Sequence, residues 1–439
     1  MEIDMKLMSL FDGSGGFPLA ASLCGIEPVY AAEVEPYPIA VTKNRFPKMK
    51  HLGDVSKVKG GEIEPVDIIT FGSPCQDISI AGKRAGLKHA DMGDDETTRS
   101  GLFLEAIRII KEMREATNGV YPRYAIWENV PGAFSSNRGE DFRTVLEEFI
   151  RVKEKDAVMP AVPQAGWAYA DCISGDGWSI AYRVFDAQYW GVPQRRRRIY
   201  LVADFRGECA QEILFKRESL RGYFEAGRTP WQGIAADAQK ISVCTDGKSP
   251  TLRAEAHGNA PYVINKKTLV YDTRGNGDGE TVPTITGDHN NRITDYTALC
   301  CEAVVYDGAN ITSPLNKTNP QAGDPCHTIS TDSRNYIVRR LTPTECARLQ
   351  GFPDWWGEIP KKDNLTDDEY VFWLNARNTY AKINNKTTKE YSKEQMLSWY
   401  NKLHSDSSEY KMWGNGIALP NALYVMQGIA EVVGVHHSK

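Results

Sequence analysis

Met8-Ser-Leu-Phe-Asp-Gly-Ser-Gly-Gly-Phe17 is the stretch on which the reading of this 439-residue chain turns. An apolar run over 8–11 reads as a strand, Asp12-Gly-Ser-Gly-Gly16 as a turn, and the residues from Phe17 to Cys24 as the helix that follows. Glycines in such a turn let the backbone approach a ligand where a Cβ would collide. The spacing Gly13-Ser14-Gly15-Gly16 is not G-x-G-x-x-G, so the turn by itself serves either a nucleotide-type ligand or packing.

Outward from this turn, the first part of the chain alternates short apolar runs with helical spacing. That is the pattern of successive βαβ units and of a mostly parallel sheet with helices on both faces, an α/β fold. Strands are predicted over 29–32, 66–71 and 124–127, and helices over 36–46 and 102–116. Pro36 suits a first helical turn, and Leu102, Ala106, Ile109, Ile110 and Met113 recur at helical intervals. Runs over 182–187 and 198–203, separated by Trp190-Gly-Val-Pro193, predict a strand pair that completes the sheet.

From about 205 to 338 the composition shifts toward Gly, Asn, Asp, Thr and Pro, with short β-rich pieces: a second domain. Its self-similar segments Ser249-Pro-Thr-Leu252, Val282-Pro-Thr-Ile285 and Asp324-Pro-Cys-His-Thr-Ile329 read most simply as repeated hairpins. Residues 339–439 return to helical patterning, with a charged and aromatic insertion at about 360–410. Within it Thr366-Asp-Asp-Glu369 and Ser392-Lys-Glu-Gln395 have the form of capping boxes and predict helix starts near Asp367 and Lys393.

The bulk properties, 41% hydrophobic and 25% charged residues, fit a soluble protein of two or three domains. No apolar run approaches the roughly 20 residues needed to cross a bilayer, and Met1 to Lys6 lacks the layout of a signal peptide, so a cytoplasmic protein is expected. Nine cysteines without paired spacing and eight histidines without a ligand pattern predict neither a disulfide framework nor a metal site. A net charge of −5 does not announce a nucleic-acid binder, so any basic groove is local. The local excess is Arg195, Arg196, Arg197 and Arg198, with a looser set at Lys83, Arg84 and Lys88.

Chemistry-bearing residues stand where apolar runs end. Glu33 lies 20 residues beyond Gly13, where a carboxylate can accept ribose hydroxyls. Asp54 either accepts from an adenine amino group or caps a turn. Phe71-Gly-Ser-Pro-Cys-Gln76 leaves a buried strand at the carboxyl edge of the sheet, and Pro74 restricts the backbone just before Cys75. The cations that follow favour a thiolate. Ile126-Trp-Glu-Asn129 delivers Glu128 either as a proton donor or as a structural partner of an arginine. In Gln194-Arg-Arg-Arg-Arg-Ile-Tyr200, strand alternation puts Arg196 and Arg198 on one face and Arg195 and Arg197 on the other; one pair can face the site and the other phosphate.

Taken in order, these segments resemble the cytosine-C5 DNA methyltransferase family, whose blocks match Leu10 to Phe17, Gly72 to Ser79, Glu128-Asn-Val130, Gln194 to Arg198, Arg340 to Gly351 and Gly414-Asn-Gly416. The resemblance implies a Rossmann-like, S-adenosylmethionine-dependent domain formed by 1–204 and 339–439, with a target recognition domain at 205–338. Cys75 would add to C6 of a flipped cytosine, Glu128 would hold or protonate N3, and Arg196 and Arg198 would support O2. Phe11, Gly13, Gly15, Gly16, Glu33, Val34, Asp54, Val55, Ser73, Leu102 and Asn415 would line the cofactor, which leaves as S-adenosylhomocysteine. Gln76, Ser79, Asn129 and, in the recognition domain, Thr328 would meet the DNA; Thr328 is chosen over Thr284 and Thr251 because it lies nearest Arg340. The loop 77–99, with Gly82 and Gly86 as hinges, matches one that closes over DNA.

The implied partner is double-stranded DNA, with no metal, no membrane and no obligate protein partner. A monomer in a bacterial cytoplasm is expected, chromosomal or phage-encoded; whether a cognate restriction endonuclease accompanies it is left open. Ser9, Asp12, Val34 and Gly416 depart from the family pattern and bear on cofactor affinity. The rivals are the tRNA-methylating branch, a catalytically silent relative, which would lose Cys75 or Glu128, and a nicotinamide dehydrogenase, which leaves the Pro-Cys-Gln and arginine blocks unexplained.

Overall fold

The computed structural model describes residues 4–73, 101–192, 194–215 and 342–436, together with short strands between 233 and 340. Five strands follow one another in the parallel part of the main sheet: β1 (Lys6–Leu10), β2 (Glu27–Ala32), β3 (Lys50–His51), β4 (Ile68–Phe71) and β5 (Tyr124–Asn129). Three more, β6 (Ala170–Gly175), β7 (Trp178–Asp186) and β8 (Arg197–Asp204), extend it antiparallel. The order is β3-β2-β1-β4-β5-β8-β7-β6. The chain therefore winds outward from β1 to β3, then restarts on the other side of β1 with β4. That reversal between β1 and β4 is the switch point at which open α/β sheets leave a crevice beyond their carboxyl ends.

Strand alternation gives the sheet two apolar faces. Leu7, Ile68, Tyr124, Ile126, Tyr200 and Val202 face one core, and Met8, Leu10, Ile69, Phe71, Ala125 and Trp127 the other. The second face is covered by α3 (Leu102–Ala116) and α4 (Glu140–Ile150). The first is covered by α1 (Gly16–Leu23), α2 (Pro36–Arg45) and α5 (Ala210–Phe215), and also by α6 (Pro343–Leu349), α9 (Asp406–Asn415) and α10 (Leu419–His436) from the far end of the chain. Residues 346–356 and 412–432 thus share one core with β1 and α1. Among the described residues no single helix is long and apolar enough to cross a membrane.

The helices α7 (Asp367–Ile383) and α8 (Lys393–Tyr400) begin at the two expected capping boxes, with the Thr366–Glu369 and Ser392–Gln395 exchanges both formed. They pack Trp373, Met396 and Tyr400 against Ile39 and Ala40 of α2, so the insertion buttresses the helix that follows Glu33. Three elements were not anticipated from sequence, the first being α5, which lies past residue 205 yet packs Ala210, Ile213 and Leu214 into the main core. The helix α4 places Phe142, Val145, Leu146 and Phe149 on one buried stripe, a spacing that was readable, and β6 is an edge strand largely exposed along its length.

Between 233 and 340 the described strands are β9 (Gly233–Asp237), β10 (Ser242–Cys244), β11 (Tyr262–Asn265), β12 (Cys300–Cys301), β13 (Val304–Val305) and β14 (Val338–Arg340). They form an antiparallel sheet in the order β10-β9-β11-β14 and the separate pair β12-β13. Cys75, Gln76, Ser79, Thr328 and the loop 77–99 lie outside the described residues.

Candidate active site

The register levels the strand ends: Leu10 pairs with Ala32 on one side and Phe71 on the other, and Phe71 with Trp127. Phe11, Glu33, Asp54, Ser73 and Glu128 consequently emerge along one edge, the carboxyl edge of the parallel strands, from five strands separated in sequence. At its centre the chain turns sharply: Phe11 (φ 54), Gly13 (φ 53) and Gly15 (φ 76) all have left-handed backbone. Glu33 fastens this turn, accepting from Gly13 N at 2.9 Å on Oε2 and from Val34 N at 2.7 Å and Glu35 N at 2.9 Å on Oε1. Three bonds use three of the roughly four acceptor sites of a carboxylate, which leaves one on Oε2 for a ligand hydroxyl.

The glycines of the turn divide by what a Cβ would meet. At Gly13 it would reach nothing nearer than Phe11 O at 3.9 Å, so space is open there for a ligand. At Gly15 it would strike Thr42 Cγ2 at 2.7 Å, and at Gly16 Ile417 Cγ1 at 2.5 Å. These two positions, expected to serve the cofactor, are small because α2 and the start of α10 press on them. Gly416 behaves alike: a Cβ there would lie 2.7 Å from Ser14 Oγ, which accounts for glycine where the family usually has serine.

Asp12, another departure, is 7% exposed, and burial pushes its carboxyl up to about 7, with Ser9 and Thr42 opposing and Glu33 adding. Asp54 caps the 3-10 turn Val55–Lys57 by accepting from Ser56 N at 3.0 Å, and its second oxygen is not committed by that bond. Val55 is buried, Val34 and Leu102 are half-buried, and Asn415 is exposed at the end of α9.

Across the switch point, β4 and β5 deliver a second group. Asn129 Nδ2 donates to Ser73 O at 3.0 Å, and Trp127 Nε1 to Ser73 Oγ at 3.3 Å, so β5 holds the chain as it leaves β4. Gly72 sits against the acid: a Cβ there would come within 3.2 Å of Glu128 Oε2. Glu128 is 8% exposed. Arg198 Nε lies 3.1 Å from Glu128 Oε1, an ion pair, and no other group among the described residues bonds that oxygen. Burial raises the Glu128 carboxyl above its ordinary 4.5, against the opposing pull of Arg198 and then Arg196.

The expected alternation of the arginine block holds in burial: Arg196 and Arg198 turn inward, Arg195 and Arg197 outward. Arg196 is 1% exposed, and its Nη2 donates to Gly414 O and Gly416 O, while Asp186 Oδ1 accepts its backbone N–H at 3.1 Å. Burial, followed by the neighbouring Arg198 charge, lowers the Arg196 guanidinium to about 9. Arg196, just before β8, thereby ties that strand to the end of α9, where Asn415 lies, a link between the two halves of the site.

The edge so described combines an open glycine turn beside an anchored carboxylate with a buried, incompletely bonded acid beside an arginine. Residues 5–153 and 170–371 match the model of the C-5 cytosine-specific DNA methylase family. The chain belongs to that family. The fold is accordingly the Rossmann-like architecture of an S-adenosylmethionine-dependent methyltransferase.

Among similar proteins, a DNA N-6-adenine-methyltransferase of Escherichia phage P1 is 28% identical over 488 residues, covering 97% of this chain and 61% of its own length. The type II methyltransferase M1.ScrFI of Lactococcus lactis subsp. cremoris is 27% identical over 367 residues, 83% of this chain and 73% of that protein. M.HhaI of Haemophilus parahaemolyticus is 26% identical over 356 residues, 80% and 84% respectively. This chain thus spans about three fifths of the phage relative.

Proposed function

We propose that this chain transfers a methyl group from S-adenosylmethionine to C5 of a cytosine flipped out of a specific duplex DNA sequence, through a covalent bond between Cys75 and C6. The observation that carries the proposal is the placement of Glu128: a buried acid at the carboxyl edge, packed against Gly72 and paired with Arg198. Covalent geometry keeps Cys75 within about 7 Å of Ser73 along the chain, and Ser73 is held by Asn129 and Trp127 from the same strand as Glu128.

In the reaction the Cys75 thiolate forms a bond to C6, and the C5–C6 π pair moves to C5. Glu128, kept protonated more readily by its burial, donates to N3 and neutralises the ring as this charge develops. Arg198, and behind it Arg196, supplies positive charge toward O2. The bound cofactor supplies an electrophilic sulfonium methyl. Once C5 carries it, a base removes the C5 proton, the C5–C6 double bond re-forms and the thiolate leaves.

On the cofactor side Gly13 provides open space, and Glu33 retains an acceptor site for a ribose hydroxyl. Asp54 has an oxygen for the adenine amine, and Phe11, Val34, Val55, Ser73, Leu102 and Asn415 complete the lining, with Gly15 and Gly16 shaping the turn. Gln76, Ser79 and Thr328 are assigned to the DNA, and residues 205–338 to recognition of its sequence; Asn129, expected at the DNA, is buried with its amide bonded to Ser73 O and Val130 N and instead holds the exit of β4. The products are 5-methylcytosine in DNA and S-adenosylhomocysteine. We further assign the chain as a metal-independent monomer of the bacterial cytoplasm with no obligate protein partner.

Adenine N6 methylation, the activity in the phage relative's name, is not favoured for these residues. An exocyclic amine attacks a sulfonium with its own lone pair, whereas a thiol and an acid facing a ring nitrogen serve to activate a ring carbon. The test is a duplex carrying 5-fluorocytosine, which lacks the removable C5 proton. With cofactor it is expected to trap the intact chain covalently and Cys75→Ala not at all. Trapping that persists in Cys75→Ala, or no 5-methylcytosine in DNA from a host expressing the intact chain, overturns the assignment.

A further inference from the structure

The last residues of β7 run past the end of their neighbour. Pairing between β6 and β7 ends with Val184 N donating to Tyr169 O at 2.8 Å, while β7 continues to Asp186, where it still pairs with Arg197 of β8. Around this open edge lies a cavity of about 640 Å³ lined by Tyr169, Arg183, Phe185, Tyr189, Trp190 and Arg197, among others. Its walls are aromatic and cationic. The Arg197 guanidinium stacks 4.7 Å from the Tyr169 ring centroid, and that of Arg183 lies 5.3 Å from Phe185. Tyr169 is 60% and Tyr189 67% exposed, an unusual outlay of large rings to solvent. The acid in the lining, Asp186, is engaged by Gln188 and by the backbone of Arg196.

A guanidinium beside an exposed ring, that of Arg197 on Tyr169, with a second at Arg183 that also donates to Leu214 O and with the nearby carboxylate already bonded, suits a chain of phosphates carrying sugars and bases. The cavity opens at the same edge of the sheet as the acid: Asn129 pairs with Ile199, and Ile199 with Val184 of β7. Two strand spacings of about 4.8 Å separate β5 from β7, so the cavity lies roughly 10 Å from Glu128 across the sheet. At a rise of about 3.4 Å per nucleotide, that distance corresponds to about three positions along a DNA strand.

We propose that the cavity at the open edge of β7 docks the DNA strand flanking the target base, with Arg197 on a phosphate about three nucleotides away and Tyr189 against its sugar and base. This rests on the reading of the chain as an enzyme acting on DNA. It assigns to the outward-facing arginine of the block a role distinct from that of Arg198, one residue on and on the opposite face of β8.

Anisotropy titrations of the full chain with a fluorescent duplex, over a range of salt concentrations, test it. Arg197→Gln is expected to reduce the slope of log affinity against log salt by about 0.9, the signature of one lost phosphate contact. Tyr189→Ala is expected to weaken binding several-fold with little change in slope. A single neutral methylphosphonate linkage, walked along both flanks, should cost the wild type affinity at one position near three nucleotides from the target and cost Arg197→Gln nothing there. Arg197 is exposed, so the melting temperature of Arg197→Gln should stay at the wild-type value. Unchanged slopes and affinities in both variants, or neutral linkages that cost Arg197→Gln as much as the wild type at every position, overturn the proposal. The slope loss supports it whether or not methyl is transferred, which separates its fate from that of the catalytic assignment.

Discussion

Replacing Glu128 by glutamine separates a catalytic acid from a structural ion pair. Burial outweighs Arg198 and Arg196 in setting the Glu128 carboxyl, so its folded value lies above the ordinary 4.5. The sign follows by linkage. A raised carboxyl contributes stability below 4.5, where both states are protonated, and that contribution is lost as the pH rises through the folded value. At neutral pH the ionised acid is therefore a net cost to the fold. Glutamine removes the cost and keeps a carbonyl oxygen for Arg198 Nε, now 3.1 Å from Oε1.

The expected melting temperature of Glu128→Gln is equal to or slightly above that of the wild type. Catalysis should fall in the opposite sense. Loss of a positioned proton donor removes about 10²- to 10⁴-fold in rate, or about 3–5 kcal/mol of transition-state stabilisation. Single-turnover transfer of labelled methyl to a duplex, measured beside a thermal melt near pH 7.5, reads both quantities on one preparation. If Glu128 merely neutralised Arg198, breaking the pair would cost about 3–5 kcal/mol and lower the melting temperature by on the order of 10 °C. That loss, accompanied by wild-type transfer, refutes the reasoning.

Other perturbations read other parts of the edge. Gly13→Ala, at φ +53 with open space beyond, should cost about 1–2 kcal/mol and remove most of the rise in melting temperature that S-adenosylmethionine produces. Gly16→Ala, whose Cβ would meet Ile417 at 2.5 Å, should cost about 1–3 kcal/mol and keep that rise. Asp12→Asn should stabilise the protein at pH 8 by up to about 4 kcal/mol, because the buried Asp12 titrates at about 7 against 3.8 when unfolded. The gain in urea midpoint should vanish as the pH falls to 4, where wild-type Asp12 is protonated when folded. Asn129→Ala frees Ser73 O from its 3.0 Å donor and should lower single-turnover transfer by about 10- to 100-fold, with cofactor affinity, read by calorimetry, unchanged.

Much of this was legible in the chain itself. The parallel half of the sheet, the bounds of α3, the capping boxes at Thr366 and Ser392 and the alternation of the arginine block rest on local pattern, and local pattern is what period and turn chemistry encode. The edge strand β6 was not, because a half-exposed strand has no apolar period to read. Nor was the division of labour among the glycines. Gly13, Gly15, Gly16 and Gly416 look alike as letters, and only the neighbours brought by α2 and α10 distinguish space for a ligand from space for Thr42, Ile417 or Ser14.

The order of residues by itself determined which groups this protein carries to the ends of its strands: a glycine turn, Glu33, the Pro-Cys-Gln exit, Glu128 and the arginines. Each follows from a strand that stops and a polar residue that begins, an event spanning a few positions. Tertiary structure alone decided what those groups do to one another. That Arg198 pairs with Glu128, that Asn129 holds Ser73, and that Arg196 reaches Gly414 and Gly416 are contacts between residues far apart in the chain. Their geometry is set by sheet register and helix packing, which depend on every strand at once and are written at no single position.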